Sequence, residues 1–156
     1  MIFITVGTQL AFPRLIDAMD EVAAGLSEPV IAQTGQTGTA WTHLEAHATL
    51  PPARFDEFFT NARLIVAHAG IGTILSAKRW GRPLVIVPRR HDLGEHRNDH
   101  QLATARQVEA IDGIYVAWDL ADLARLTARS DLIPASGQES ASHIRLIGRL
   151  KTFIDA

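Results

Sequence analysis

Short, uninterrupted apolar runs alternate along this chain with longer segments whose apolar residues recur every three or four positions. Uninterrupted runs are typical of strands in a parallel sheet, because both faces of such a sheet are covered. Clear runs and two weaker ones predict strands at Ile2–Val6, Pro29–Gln33, Leu44–Thr49, Leu64–Ala67, Leu84–Val87 and Ile114–Val116.

The segments with helical spacing predict amphipathic helices between these strands. They are Phe12–Leu26, Phe55–Phe59, Thr73–Trp80, Asn98–Ala110, Leu120–Ala128 and Ser140–Ile154. Pro13 suits a first helical turn, Gly81 a helix C-cap and Asp119 a helix N-cap. Strands that alternate with helices predict an α/β fold, here a single Rossmann-like domain over residues 1–156 whose mostly parallel sheet carries helices on both faces.

Composition narrows the possible classes of protein. The 156 residues suggest one domain, and a net charge of −2 marks no nucleic-acid-binding or polybasic membrane surface. Cysteine is absent, so disulfides and thiolate metal sites are excluded. No apolar run approaches the ~20 residues that span a bilayer, and the N-terminal run lacks the basic leader of a signal peptide. We therefore expect a cytoplasmic protein.

Glycine and polar residues follow the predicted strands at the points where these strands end. In an open parallel sheet such ends meet at one edge, and ligands bind outside that edge. Gly7 and Thr8 follow the first strand, Gly35 follows the second, and His68 and Pro88 follow the two central ones. We expect these residues to line one cleft.

His68 precedes a glycine turn that opens a helix. Gly70 and Gly72 let a ligand approach the backbone, free N–H groups and the helix dipole favour an anion, and Thr73 adds a hydroxyl donor. A ring nitrogen of His68 is a further donor for a phosphate oxygen. The alternatives are a histidine bonded to the backbone and an ordinary tight turn with a helix cap. The turn lacks the glycine spacing of the dinucleotide and P-loop fingerprints.

The polar segment that opens the next helix is rich in short-range donors and acceptors. Asp99 and Gln101 are residue types that bind sugar hydroxyls. Glu95, His96 and His100 also admit a metal site, since the two histidines are four residues apart. The segment is expected to begin as a loop, however, and no carboxylate–histidine helix motif is present, so no metal is predicted. A charged, solvated helix start is the alternative.

Two further expectations concern packing. Arg89 and Arg90 follow a buried strand, where they either balance phosphate charge or are solvated, and we expect them to be solvated. Phe55, Phe58 and Phe59 lie at helical spacing and are expected in the core.

Taken together, these motifs resemble the C-terminal, donor-binding half of GT-B glycosyltransferases of the family-28 type. The motifs are Thr-Val-Gly-Thr at 5–8, His-Ala-Gly-x-Gly-Thr at 68–73, Gly-x-Pro at 81–83, Pro88, Gly-Glu-His at 94–96 and Asp-His-Gln at 99–101. The resemblance is greatest to the small catalytic subunits of bipartite transferases that add GlcNAc to lipid-linked oligosaccharide, and to bacterial exopolysaccharide transferase subunits. The Gly-Glu-His motif favours the bacterial branch.

This resemblance implies half of a GT-B fold and a UDP-sugar site that uses no metal or other cofactor. The implied donor-binding residues are His68, Gly70, Gly72, Thr73, Pro88, Glu95, Asp99, His100 and Gln101, while Gly7, Thr8 and Gly35 would line the cleft facing the other half. His68 is also a candidate for a catalytic role. Relatives carry a ribose-binding glutamate where this chain has Ser76, and Glu95 is the candidate replacement.

The resemblance further implies the donor-binding subunit of a two-component, inverting glycosyltransferase in exopolysaccharide synthesis, with a polyprenyl-diphosphate-linked acceptor. A membrane-anchored partner would bind that acceptor, supply the general base and recruit the chain to the inner face of the cytoplasmic membrane. The predicted helix at 140–155 has an apolar stripe that either docks this partner or packs on its own sheet. A non-catalytic nucleotide-binding module, regulatory or assembly-related, is the alternative function.

Overall fold

The structure of the protein, a computed structural model, describes residues 1–135. Its strands are β1 (Ile2–Thr5), β2 (Val30–Gln33), β3 (Glu45–His47), β4 (Leu64–His68), β5 (Leu84–Val87) and β6 (Ile114–Val116). Its helices are α1 (Pro13–Ala23), α2 (Pro52–Asn61), α3 (Ile71–Trp80), α4 (His100–Val108) and α5 (Asp122–Ala128), and a 3₁₀ turn covers His91–Leu93.

Within residues 1–135, no helix has the length and apolarity to cross a membrane. The predicted helix at 140–155, with its docking role, lies outside the described residues.

The strands form one parallel sheet in the order β3-β2-β1-β4-β5-β6. The chain moves outward from β1 to β3 and then outward in the opposite direction from β4 to β6, so the order reverses between β1 and β4. Ligands of doubly wound sheets bind in the crevice outside the strand ends at such a reversal. The predicted Rossmann-like fold class is confirmed.

Apolar cores cover both faces of the sheet. Ile2 and Ile4 of β1 pack in one core with α1 and α5, whereas Phe3 packs in the other with α2, α3 and α4. This alternation follows from the two-residue period of a strand. Phe58 and Phe59 are buried in the second core, as predicted.

Two of the three predicted cap residues lie at the helix boundaries where the sequence places them. Pro13 opens α1, and Gly81 ends α3 with a φ of 61°, a left-handed conformation that glycine adopts without strain. The last described helix begins later than predicted, at Asp122. The Asp119 carboxylate accepts the N–H of Ala121 at 2.9 Å and so caps a turn that precedes the helix.

Candidate functional site

A cavity of about 800 Å³ opens at the carboxyl edge of the sheet, beside the ends of β1 and β4. Its walls are the turn after β1, the start of α3, the segment before α2 and the start of α4. The volume falls in the range of roughly 300–1,000 Å³ that is usual for small-molecule sites. The strand order alone would place a ligand here.

Most of the predicted site residues meet in this cavity. The lining includes Gly7, Thr8, Gly35, His68, Gly70, Gly72, Thr73, His100 and Gln101, and also Ser76. Pro88, Glu95 and Asp99 are not among its lining residues. The cavity brings together residues predicted to bind the diphosphate and residues predicted to bind the sugar. Their roles in binding stay predictions.

The imidazole of His68 is held between two glycines. A Cβ on Gly7 would stand 2.9 Å from its Nε2, and a Cβ on Gly70 would stand 2.3 Å from its Cε1. Burial, and secondarily the positive charge of Arg89 and the proximity of His96, lower the pKa of His68 to about 3. His68 is therefore neutral at physiological pH, and one ring nitrogen carries a proton while the other accepts.

The start of α3 offers unpaired backbone donors to the same cavity. Gly70 is the N-cap, and no side chain among the described residues caps this helix. The first N–H groups of a helix have no partner within it, and they lie at the positive end of the helix dipole. A Cβ on Gly72 would have no neighbour within 4 Å. The arrangement has the geometry of an anion site.

The two glycines of this turn give a matched pair of substitutions. Gly70→Ala should lower the free energy of unfolding by about 1–3 kcal/mol, because the new methyl group overlaps the His68 ring. Gly72→Ala should raise it by about 0.5–1 kcal/mol, because alanine is a better helix former and meets no neighbour. The measurement is urea denaturation of both variants beside the parent.

Equal stability of the two variants would contradict this account of the turn. The backbone of Gly70, with a φ of −86°, already suits alanine. A loss confined to Gly70→Ala is therefore a measure of the contact with His68 and not of backbone strain.

Gln101 joins the ends of β4 and β5. Its Oε1 accepts the N–H of Ala69 at 3.1 Å and that of Arg89 at 3.0 Å, and its Nε2 lies 3.2 Å from Nδ1 of His68. The side chain is only 7% exposed. These bonds hold the residues that follow β4 and β5 at a fixed separation.

The expectation that Arg89 is solvated is wrong. Its side chain is 2% exposed, and its guanidinium donates to the carbonyls of Val6 at 2.8 Å, Leu10 at 2.6 Å and Ala11 at 2.7 Å. It also lies over the ring of Phe12, 4.7 Å from the centroid. Burial lowers its pKa, which the nearby Glu95 partly offsets. Arg89 thus fixes the turn after β1, which forms one wall of the cavity.

The neighbouring Arg90 is exposed, as expected, and pairs with Asp92 at the surface. Glu95 binds Arg14 through both carboxylate oxygens at 2.8 Å and accepts the N–H of Arg90 at 3.1 Å. Asp99 accepts the N–H of His91 at 3.0 Å. Both carboxylates thus organise the loop between β5 and α4, and Glu95 faces an adjoining groove rather than the cavity.

The sequence prediction missed several residues that the cavity contains. Gln33 ends β2, is buried, accepts from the hydroxyl of Thr5 at 2.8 Å and donates to the carbonyl of Gly7 at 3.0 Å. Phe55 and Asp56 enter from α2, where Phe55 also packs on the core as predicted. A polar residue at the end of a buried strand was the available signal for Gln33. Nothing in the sequence distinguished Asp56.

Metal independence stays a prediction. In the described part of the chain, no three histidine, aspartate or glutamate side chains are grouped so that they could hold a metal ion. The cavity lining includes the start of α3, whose first backbone N–H groups suit an oxyanion, and also the acidic side chain of Asp56.

Comparison with known proteins agrees with the fold and the motifs. Residues 1–133 match the family model described as the glycosyltransferase family 28 C-terminal domain. The chain is 29% identical over 126 residues to the UDP-N-acetylglucosamine transferase subunit ALG13 of Eremothecium gossypii, covering 80% of this chain and 60% of that protein. It is 28% identical over 128 residues to the L-demethylnoviosyl transferase of Streptomyces niveus, covering 82% and 32%.

The solution structure of an ALG13 protein superimposes with a TM-score of 0.62 at 16% identity and covers 94% of both chains. This likeness shows the fold. The chain spans less than two thirds of the length of the two relatives compared by sequence. The resemblance drawn from the motifs is confirmed, and the chain belongs to the glycosyltransferase family 28 C-terminal domain family.

Proposed function

We propose that the protein is the donor-binding subunit of an inverting glycosyltransferase that takes its sugar from a UDP-sugar. The observation that carries the proposal is the cavity at the β1/β4 crevice, where the His68 ring and the uncapped start of α3 face one space. Family membership and the name of the ALG13 relative, which specifies UDP-N-acetylglucosamine, support the choice of donor.

The donor diphosphate lies against the N–H groups at the start of α3 in this proposal. These groups point at the anion, and the helix dipole favours its negative charge. Transfer breaks the bond between the sugar and the diphosphate, so negative charge grows on the departing UDP. Fixed donors in a partly buried site stabilise that charge without a metal ion.

The acceptor side is assigned to a second component. All strands in residues 1–135 belong to one sheet, and the cavity is open to solvent beyond it. We propose a membrane-anchored partner that presents a polyprenyl-diphosphate-linked saccharide in exopolysaccharide synthesis and provides the base that deprotonates its hydroxyl. The word subunit in the ALG13 relative's name is consistent with such a division.

Calorimetric titration with UDP in the presence of EDTA tests the donor site. We expect a Kd in the micromolar to millimolar range, and at least tenfold weaker binding of ADP. Gly72→Val should abolish UDP binding, because its side chain enters open space at the start of α3. Leu75→Val is the control, since Leu75 is exposed on the same helix and does not line the cavity.

Preference for ADP, or unchanged binding by Gly72→Val, would contradict the proposed site. A UDP complex that forms only when EDTA is left out would contradict metal independence. UDP binding without sugar transfer, when the membrane partner and acceptor are supplied, would favour the non-catalytic module.

A further inference from the structure

We propose that Gln101 is a positioning residue, which fixes the imidazole of His68 in the tautomer that carries its proton on Nε2. The inference stands on the hydrogen bonds around the Gln101 amide. Its consequence for ligand binding rests on the proposed function.

The orientation of the Gln101 amide is set by the backbone. Two N–H groups, those of Ala69 and Arg89, converge on a single atom of the amide, at 3.1 and 3.0 Å. An N–H group can only donate, so the atom that receives both bonds is the oxygen. The reverse orientation would place the amide NH₂ against two donors inside a buried site.

The remaining amide nitrogen then decides the tautomer of His68. Nε2 of Gln101 lies 3.2 Å from Nδ1 of the ring and can only donate. Nδ1 must therefore be the accepting, unprotonated nitrogen. Because burial lowers the pKa of His68 to about 3, the ring is neutral and its one proton is on Nε2.

The protonated nitrogen lies on the side of the ring that faces the two glycines. Nε2 is 2.9 Å from the position that a Cβ of Gly7 would occupy and 2.7 Å from that of Gly70. Both glycines line the cavity. Gln101 thus makes His68 a hydrogen-bond donor towards the crevice, where the proposed diphosphate would lie, and prevents its use as a base through Nε2.

Other charged and titratable groups surround the same space. They are Asp56 from α2, Arg89 after β5, His96 in the loop before α4, and His100 at the start of α4. Arg89 and His96 act on His68 in the direction that keeps it unprotonated. The amide of Gln101 lies within hydrogen-bond distance of Nδ1, so its orientation sets the tautomer.

Nitrogen-15 NMR of the histidine rings in the unliganded protein tests this directly. Long-range proton–nitrogen correlations distinguish the two tautomers, and the difference spectrum with His68→Gln assigns the ring. At neutral pH we expect a bare Nδ1 and a protonated Nε2 in the parent. A proton on Nδ1 in the parent would overturn the proposal without any further variant.

Gln101→Glu gives the complementary test. Its carboxylate still accepts from Ala69 and Arg89 but has no hydrogen to offer Nδ1, so Nδ1 of His68 should become protonated. Gln107→Glu is the matched control, because it makes the same change at an exposed site on the same helix. A bare Nδ1 in folded Gln101→Glu, or the same change in Gln107→Glu, would overturn the role of Gln101.

Addition of UDP to the parent separates this role from the proposed function. A shift of the His68 Nε2–H resonance on binding supports the donor role, and an unchanged resonance in the UDP complex overturns it. The tautomer in the unliganded protein is decided independently of that result, so failure of the UDP site and failure of the positioning role are distinguishable.

Discussion

Replacing Arg89 by methionine should lower the free energy of unfolding by about 2–4 kcal/mol. Arg89 is 2% exposed, and its guanidinium holds the carbonyls of Val6, Leu10 and Ala11. A charged donor contributes about 1.5–3 kcal/mol per bond, and a carbonyl left without a partner in a buried place costs about 1–3 kcal/mol. Removal of a buried charge offsets part of that loss. Urea denaturation measures the net effect.

The same substitution should weaken UDP binding at least tenfold. The carbonyls that Arg89 holds belong to the turn after β1, and this turn forms one wall of the cavity. Without the guanidinium the wall loses its fixed position, and ordering it again opposes ligand binding.

Arg90→Met is the control for both measurements. It makes the same change at the next residue, whose side chain is 45% exposed and pairs only at the surface with Asp92. Exposed pairs of this kind contribute about 0–1 kcal/mol. Similar losses in the two variants would contradict the buried role of Arg89.

Acidification should destabilise the protein through His68. The folded pKa of about 3 lies below the ordinary value of 6.5, so the unfolded chain binds the proton more tightly between these values. Stability is therefore complete above about pH 6.5 and falls as the pH is lowered towards about 3, by up to roughly 1.4 kcal/mol per pH unit. The free energy of unfolding from urea titrations at a series of pH values measures this slope.

His68→Gln should flatten the slope, because the variant has no imidazole to protonate at this place. His96, whose pKa is also lowered by burial, retains its own smaller contribution, so the difference between parent and variant isolates His68. An unchanged slope in His68→Gln would show that the ring is not held neutral by burial.

The loss of stability in acid and the loss of stability expected for Arg89→Met have one structural origin. The site holds a neutral imidazole and a buried guanidinium close together, and within residues 1–135 no carboxylate is hydrogen-bonded to either. Both groups are hydrogen-bonded to neutral partners. His68 is bonded to the amide of Gln101, and Arg89 is bonded to backbone carbonyls. Stability at this place therefore depends on His68 staying neutral and on the three carbonyls keeping the guanidinium of Arg89.

The pattern of apolar positions predicted the fold well. Burial on both faces of the sheet can be recognised from residues that are close together in the sequence. Continuous apolar runs gave β1, β2, β4 and β5, and three-to-four spacing gave the helices. The convergence of His68, Gly70, Gly72 and Gly7 also followed, since parallel strands place their carboxyl ends at one edge. No side-chain detail was needed for either inference.

The chemistry at that edge depended on contacts between distant segments. Arg89 and Arg90 are adjacent and chemically identical, yet the first is buried and the second is exposed. The difference arises because the carbonyls that Arg89 binds lie 78 to 83 positions away. Gln101 likewise meets His68 across 33 positions.

The sequence by itself determined the class of fold, the edge of the sheet at which the cavity opens and the glycine turn that begins α3. Only the tertiary structure decided which polar side chains turn inward, which nitrogen of His68 carries the proton, and that Glu95 binds Arg14 beside the cavity. The reason is physical. The spacing of apolar residues shows whether a position is buried, whereas a hydrogen bond needs two particular atoms at one distance and angle.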